Sequence, residues 1–259
     1  MNYKLTLAYD GSRYDGWQKQ GNTTKTIQGK LEALLTRLEG QEIEVHGAGR
    51  TDAGVHAKGQ VCSCKLSRNW QEEELRDTLN GYLPADIAVL KVEKVPEQFH
   101  ARLWAKGKTY CYRIHTGKIP NVFERNYVYQ QERTISVEAM RQAASYLMGT
   151  HDFKSFCSNR HMKKSTVRTL DTIRIEVFED EVQMIYHGNG FLYNMVRILT
   201  GTLLEVGEGK RTPESMKMVL EEKNRQAAGF TAPPQGLILY SVDYEMPSEN
   251  ILENVKREK

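Results

Sequence analysis

The hydrophobic pattern of this chain changes period many times, and it does so in a similar order twice. Residues 3–9 alternate, with Tyr3, Leu5, Leu7 and Tyr9 on one face and Lys4, Thr6 and Ala8 on the other. A period of two is that of a half-buried strand. Ile27, Leu31, Leu34, Leu35 and Leu38 then share one helical stripe that Gly40 stops. Strands are expected at 41–46 with Ile43 and Val45 inward, at 61–66, and at 87–95. A helix over 71–80 turns Leu75 and Leu79 inward. The second half reuses these elements. It has a strand at 108–116 and a helix capped by Ser136 that carries Val137, Met140, Ala144 and Leu147 and ends at Gly149. Ile173, Ile175 and Val177 alternate, and 182–186 reads as the next strand. Phe191, Leu192, Met195, Val196, Leu199 and Leu203 form a helix stripe over 191–206. Thr212 and Pro213 open a short helix, 236–244 closes the fold as a strand, and the charged residues 245–259 are expected to fray.

This order predicts an α+β fold of two related domains, each a mostly antiparallel sheet with helices packed on one face. The boundary is placed at 1–105 for the N-terminal domain and 106–259 for the C-terminal one. A chain of 259 residues is long enough to bury a core without covalent staples. Its start lacks the apolar stretch of a signal peptide, and no apolar run approaches the ~20 residues of a membrane span. The four cysteines show no C-x-x-C and no His/Cys spacing of a metal site. Cys62 and Cys64 share a strand face as small buried hydrophobes. A cytoplasmic protein without metal is expected.

One glycine-rich stretch, GAGRTDAGVHAKGQV at 47–61, holds a single acid, Asp52, two residues after Arg50. An Asp among glycines is most often an Asx-turn or a cap. The rival reading is a carboxylate held out as nucleophile or base. A calcium loop is excluded, because no further carboxylates follow at alternate positions. The net charge of +3 is too small to name a partner, but its distribution is informative. Residues 98–123 contain no acid and hold Arg102, Lys106, Lys108, Arg113 and Lys118. Residues 153–170 contain no acid and hold Lys154, Arg160, Lys163, Lys164 and Arg168 with His161. Both interleave aromatics, among them Trp104, Tyr110, Phe153 and Phe156. Cations with stacking surfaces suit RNA. Two ordinary solvated faces are the plainer alternative. Asn194, Arg197 and Gly201 lie at i, i+3 and i+7 on the apolar 191–206 helix. An arginine desolvated there needs a carboxylate, and Asp52 is the candidate; an arginine at a solvated helix edge is the alternative.

At these residues the sequence resembles the TruA family of tRNA pseudouridine synthases. YDGSRYDGWQKQ is similar to the family's N-terminal motif and GAGRTDAGVHAKGQV to its catalytic motif. FHARLWAKGKTYCYRI, GTHDFKSF, GNGFLYNMVRILTGTLLEVG and FTAPPQGLILYSVDY are similar to four later motifs, in family order. Lys108 stands where an arginine is common. The resemblance implies the pseudouridine synthase fold and a cofactor-free isomerase acting on uridines 38, 39 and 40 of the tRNA anticodon stem-loop, working as a homodimer. It implies that Asp52 is the catalytic aspartate and that Arg50 helps flip the nucleotide. Tyr110 then stacks on the base, with a possible part in proton removal, and Arg197 pairs with Asp52. Arg13, Lys163, Lys164 and Arg168 are expected as further RNA contacts. Attack at C1′, attack at C6 and a glycal route are all compatible with these residues. The other readings are a paralogue with a different RNA target, a non-catalytic RNA-binding protein, and a hydrolase using an Asp nucleophile. The last would want metal ligands or a phosphate loop, and neither is evident.

Overall fold

The alternation at the N-terminus forms strand β1 (Asn2–Tyr9), whose Tyr3, Leu5, Leu7 and Tyr9 are buried. A computed structural model describes residues 1–159 and 162–245. Arg160 and His161 of the second basic stretch, and the expected fraying beyond residue 245, lie outside the described residues. Helix α1 (Ile27–Glu39) starts where the Thr26 hydroxyl accepts from the Gly29 amide, and stops at Gly40 with φ +69°. Then follow β2 (Val45–Gly47), β3 (His56–Lys65), α2 (Glu72–Tyr82) and β4 (Ile87–Val95). The second half runs β5 (Ala105–His115), β6 (Tyr129–Gln130), α3 (Val137–Ser145), β7 (Gly149–Asp152), β8 (Val167–Val177), β9 (Glu181–Gly188), α4 (Met195–Gly207), α5 (Ser215–Glu222) and β10 (Leu237–Tyr244). Ser136 caps α3 as its position before an apolar stripe requires.

The strands form a single mixed sheet in the order β4-β1-β3-β10-β5-β9-β8-β7, with β2 on β3 and β6 on β5. Nearly all pairings are antiparallel, as expected for this class. The strands of the first half meet those of the second at one short parallel pairing, Ile238 with His56 and Leu239 with Ala57. One continuous hydrophobic core runs beneath both groups of strands. Among the described residues no helix is long and apolar enough to cross a membrane.

Several element boundaries differ from expectation, each for a local reason. β3 begins at His56 rather than 61, because His56, Ala57 and Gln60 are buried although Lys58, Gly59 and Gln60 break the apolar pattern. β8 begins at Val167, extended by pairing with β7 that its polar residues do not announce. Gly149 does not end a helix: α3 stops at Ser145, and Gly149, with φ +96°, opens β7. α5 starts at Ser215, after the turn made by Thr212 and Pro213. The helix expected over 191–206 starts at Met195, because Asn194 adopts φ +60°, a left-handed conformation that asparagine tolerates.

Candidate active site

The glycine-rich stretch forms a bend between β2 and β3, clamped from several sides. The Trp17 amide donates to the Thr51 carbonyl at 3.0 Å, and the Gly54 amide to the Tyr14 carbonyl at 3.2 Å. The Tyr9 and Thr51 hydroxyls bond at 2.8 Å, and the buried Gln60 amide donates to the Gly49 carbonyl at 3.0 Å. A Cβ at Gly47 would stand 2.4 Å from the Trp17 indole nitrogen. That glycine makes room for protein packing. At the end of the bend His56 accepts the Gly11 amide on Nδ1 and donates from Nε2 to the Asn126 carbonyl. The turn around Asp52 is closed by backbone, Val55 amide to Asp52 carbonyl at 3.1 Å. Its carboxylate therefore takes no part in the turn.

That carboxylate points toward Arg197 of α4. Arg197 Nη1 lies 3.5 Å from Asp52 Oδ2, and the two side chains are only 15% and 23% exposed. The guanidinium is fixed by its other bonds: Nε to the Ala232 carbonyl at 2.7 Å, and Nη1 to Asn194 Oδ1 at 3.1 Å. The left-handed Asn194 also donates to the Ser158 hydroxyl at 3.0 Å. Burial raises the Asp52 carboxyl above its ordinary range, and the charge and hydrogen bond of Arg197 oppose that rise. The result is a carboxylate more basic than a free one and aimed by a rigid partner. The ion pair spans 145 residues of sequence and depends on β10 bringing the two groups of strands together.

Asp52 and Arg197 line a cleft of about 1020 Å³ shared with Arg50, Tyr110, Lys163, Lys164 and Arg168. Tyr110 of β5 is buried and meets the Phe191 ring edge-on, with centroids 5.1 Å apart. Burial pushes its phenol far above the ordinary value, so it is neutral at physiological pH. Arg50 is exposed and donates to Gln18 Oε1 at 3.0 Å. Arg13 does not line the cleft. It is 77% exposed and holds Asp86, which also accepts from the Tyr14 hydroxyl. In the first acid-free stretch the plainer reading holds for two cations. Arg113 pairs with Glu181 at 2.6 Å and Glu124 at 2.9 Å, and Lys106 with Glu245 at 3.3 Å. Of the other three, Arg102 and Lys108 line the cleft, and Lys118 is exposed outside it.

The residues that position the site without touching the cleft floor are those the sequence hid. Tyr9 and Gln60 look like one more apolar-face residue and one stray amide. The available signal was that Gln60 is the sole side-chain amide in a stretch followed by the small or apolar Val61, Cys62, Ser63 and Cys64. Among the described residues no group of three or more His, Cys, Asp or Glu is arranged to hold a metal ion.

Known proteins resemble this chain along nearly its whole length. A family model described as tRNA pseudouridine synthase matches residues 6–103 and 143–245. The chain is 45% identical to a tRNA pseudouridine synthase A of a Bacillus species (strain KSM-64), over 94% of this chain and 99% of that protein. It is 46% identical to a tRNA pseudouridine synthase A of Clostridium acetobutylicum, with the same coverage of 94% and 99%. A carboxylate–arginine pair at the floor of a basic, aromatic-walled cleft, on a mixed α+β sheet, agrees with those matches along nearly the whole length: the chain belongs to the tRNA pseudouridine synthase family.

Proposed function

We propose that this protein isomerises uridine to pseudouridine at positions 38, 39 and 40 of the tRNA anticodon stem-loop, with Asp52 as the catalytic carboxylate. The observation that carries the reading is the ion pair of Asp52 with Arg197, set in a cleft that also holds Tyr110. The reaction breaks the N1–C1′ bond and forms C5–C1′; C5 loses a proton and N1 gains one. It is redox-neutral, so the proposal includes neither cofactor nor metal.

The target base must first leave the helix, at a cost of a few kcal/mol. Arg50 is free to follow the vacated position because, among the described residues, Gln18 alone holds it. Tyr110 stacks on the extruded base. Its neutral phenol favours that role over removal of the C5 proton, since a phenolate is out of reach at neutral pH. Asp52 acts on the sugar or the ring, its basicity raised by burial and its orientation set by Arg197. Lys163 and Lys164 are exposed on the cleft wall and meet the RNA backbone together with Arg168. Arg13 reaches only RNA that extends beyond the cleft.

We retain the division into domains 1–105 and 106–259, supported by the single short pairing of β3 with β10 that joins the two strand groups. A cytoplasmic homodimer is part of the same proposal. The reading is tested by incubating the protein with an unmodified tRNA transcript and mapping pseudouridine. Pseudouridine confined to positions 38–40 is expected. An unmodified anticodon stem-loop contradicts the proposal.

A further inference from the structure

Lys108 and Arg102 are the two cations lining the cleft that the proposed reaction leaves without a task, and the surroundings of Lys108 are unusual. Lys108 sits on β5 two residues before Tyr110, on the same face of the strand. Its stem lies along the motif bend: a Cβ built on Gly49 would stand 3.1 Å from Lys108 Nζ and 3.2 Å from Cε. The Gly49 carbonyl is already taken by Gln60. Among the described residues the ammonium has no ion pair and no hydrogen bond. The groups that face it are cations, Arg102 from the loop before β5 and Arg168 of β8. Among the described residues neither is paired with an acid: Arg168 donates to the Ser165 and Val167 carbonyls, and the Arg102 guanidinium has no partner. Arg50 and Asp52 of the bend line the same cleft, and Asp52 is engaged by Arg197. The acids of the neighbouring strands are on the other face of the sheet. There Asp243 of β10 and Asp171 flank His187 of β9, in register with Gly107 and Thr109.

Three unneutralised cations converging in a partly dry recess are unfavourable without an anion. We propose that Arg102, Lys108 and Arg168 form one anion site that holds a phosphodiester of the RNA strand beside the target nucleotide, with Lys108 at its centre. The proposal deepens the functional reading above and rests on it for the identity of the strand. Two residues of β5 separate the site from Tyr110, about 6–7 Å along the strand. That spacing is on the scale of one nucleotide, so a base stacked on Tyr110 brings its own or its neighbour's phosphate to Lys108. Burial and the two arginines push the Lys108 ammonium down to about 8. A bound phosphate would supply the missing counter-charge and hold the proton.

The test measures binding of an unmodified tRNA transcript to the full chain in an Asp52→Asn background, where turnover is absent, across a series of salt concentrations. Lys108→Gln is expected to weaken binding about tenfold and to lower the slope of log K against log salt by about one. At pH 9.5 the ammonium of the Lys108 protein has lost its proton, and the gap between the two proteins is expected to close. Arg102→Gln, at an exposed position, is the second variant; it too is expected to lower the slope by about one with the fold intact. Wild-type affinity and slope in both variants would overturn the site. Pseudouridine formation by the wild type on the same transcript is read in parallel. Formation with unchanged slopes removes the anion site alone; lowered slopes without formation remove the isomerase reading and keep the site.

Discussion

Lys108→Met should make this protein more stable while weakening its hold on RNA. The side chain is partly buried, has no acid partner among the described residues, and faces Arg102 and Arg168. Its ordinary value of 10.5 falls to about 8. Keeping the proton at pH 7 therefore costs the folded state about 3 kcal/mol relative to the unfolded chain. Methionine preserves the unbranched apolar stem and removes the charge. Part of the cost is already relieved in the native protein by water and local adjustment, so the expected gain is about 1–3 kcal/mol, or roughly 3–9 °C in Tm for a chain of this size. The pH dependence has a definite sign. The folded chain releases this proton near 8 and the unfolded chain near 10.5. Between those values the unfolded state binds more protons, so wild-type stability rises with pH. The advantage of Lys108→Met is therefore full at pH 7 and shrinks from pH 8 upward. Paired thermal melts at pH 7, 8, 9 and 10 measure it, because every other titration cancels in the difference. A variant that melts at or below the wild type at pH 7, or a gap that stays constant to pH 10, refutes the reasoning.

Arg197→Met removes the counter-charge of a buried carboxylate; we expect activity to fall by about 100-fold or more and stability by about 3 kcal/mol. Any remaining activity should have its acidic limb displaced to higher pH, because burial then raises the Asp52 carboxyl unopposed; an unmoved limb in a kcat–pH profile would speak against the pairing. Tyr110→Phe keeps the ring and should retain activity within about threefold, whereas Tyr110→Ala loses a stacking surface worth about 1–3 kcal/mol. Single-turnover rates on tRNA separate the two, and a Phe variant as impaired as the Ala variant would return proton removal to Tyr110.

Much of the site was legible from residue types alone, and the missing part has a physical cause. An arginine on an apolar stripe needs an acid, which singled out Arg197 and Asp52 before any geometry was known. Strand periodicity placed Tyr110, and the Ser136 cap marked a helix start. What joins Asp52 to Arg197 is the two-residue parallel pairing of β3 with β10, a contact between distant segments that no local pattern encodes. Asn194 illustrates a different limit. Its left-handed backbone moves the start of the expected helix by four residues, yet delivers its side chain to Arg197, with which the sequence had grouped it on one stripe. Lys108 was visible as a cation in an acid-free stretch, but Arg113 of the same stretch is neutralised by Glu181 and Glu124. Only the fold tells which of the two is unpaired.

The central claim is that Asp52 performs the isomerisation. Its most direct test uses tRNA carrying tritium at uridine C5 and measures tritium released to water as C5 forms its new bond. The wild-type protein should release tritium from the anticodon stem-loop, and Asp52→Asn should release none while still binding the RNA. Equal release by the two proteins would contradict the account.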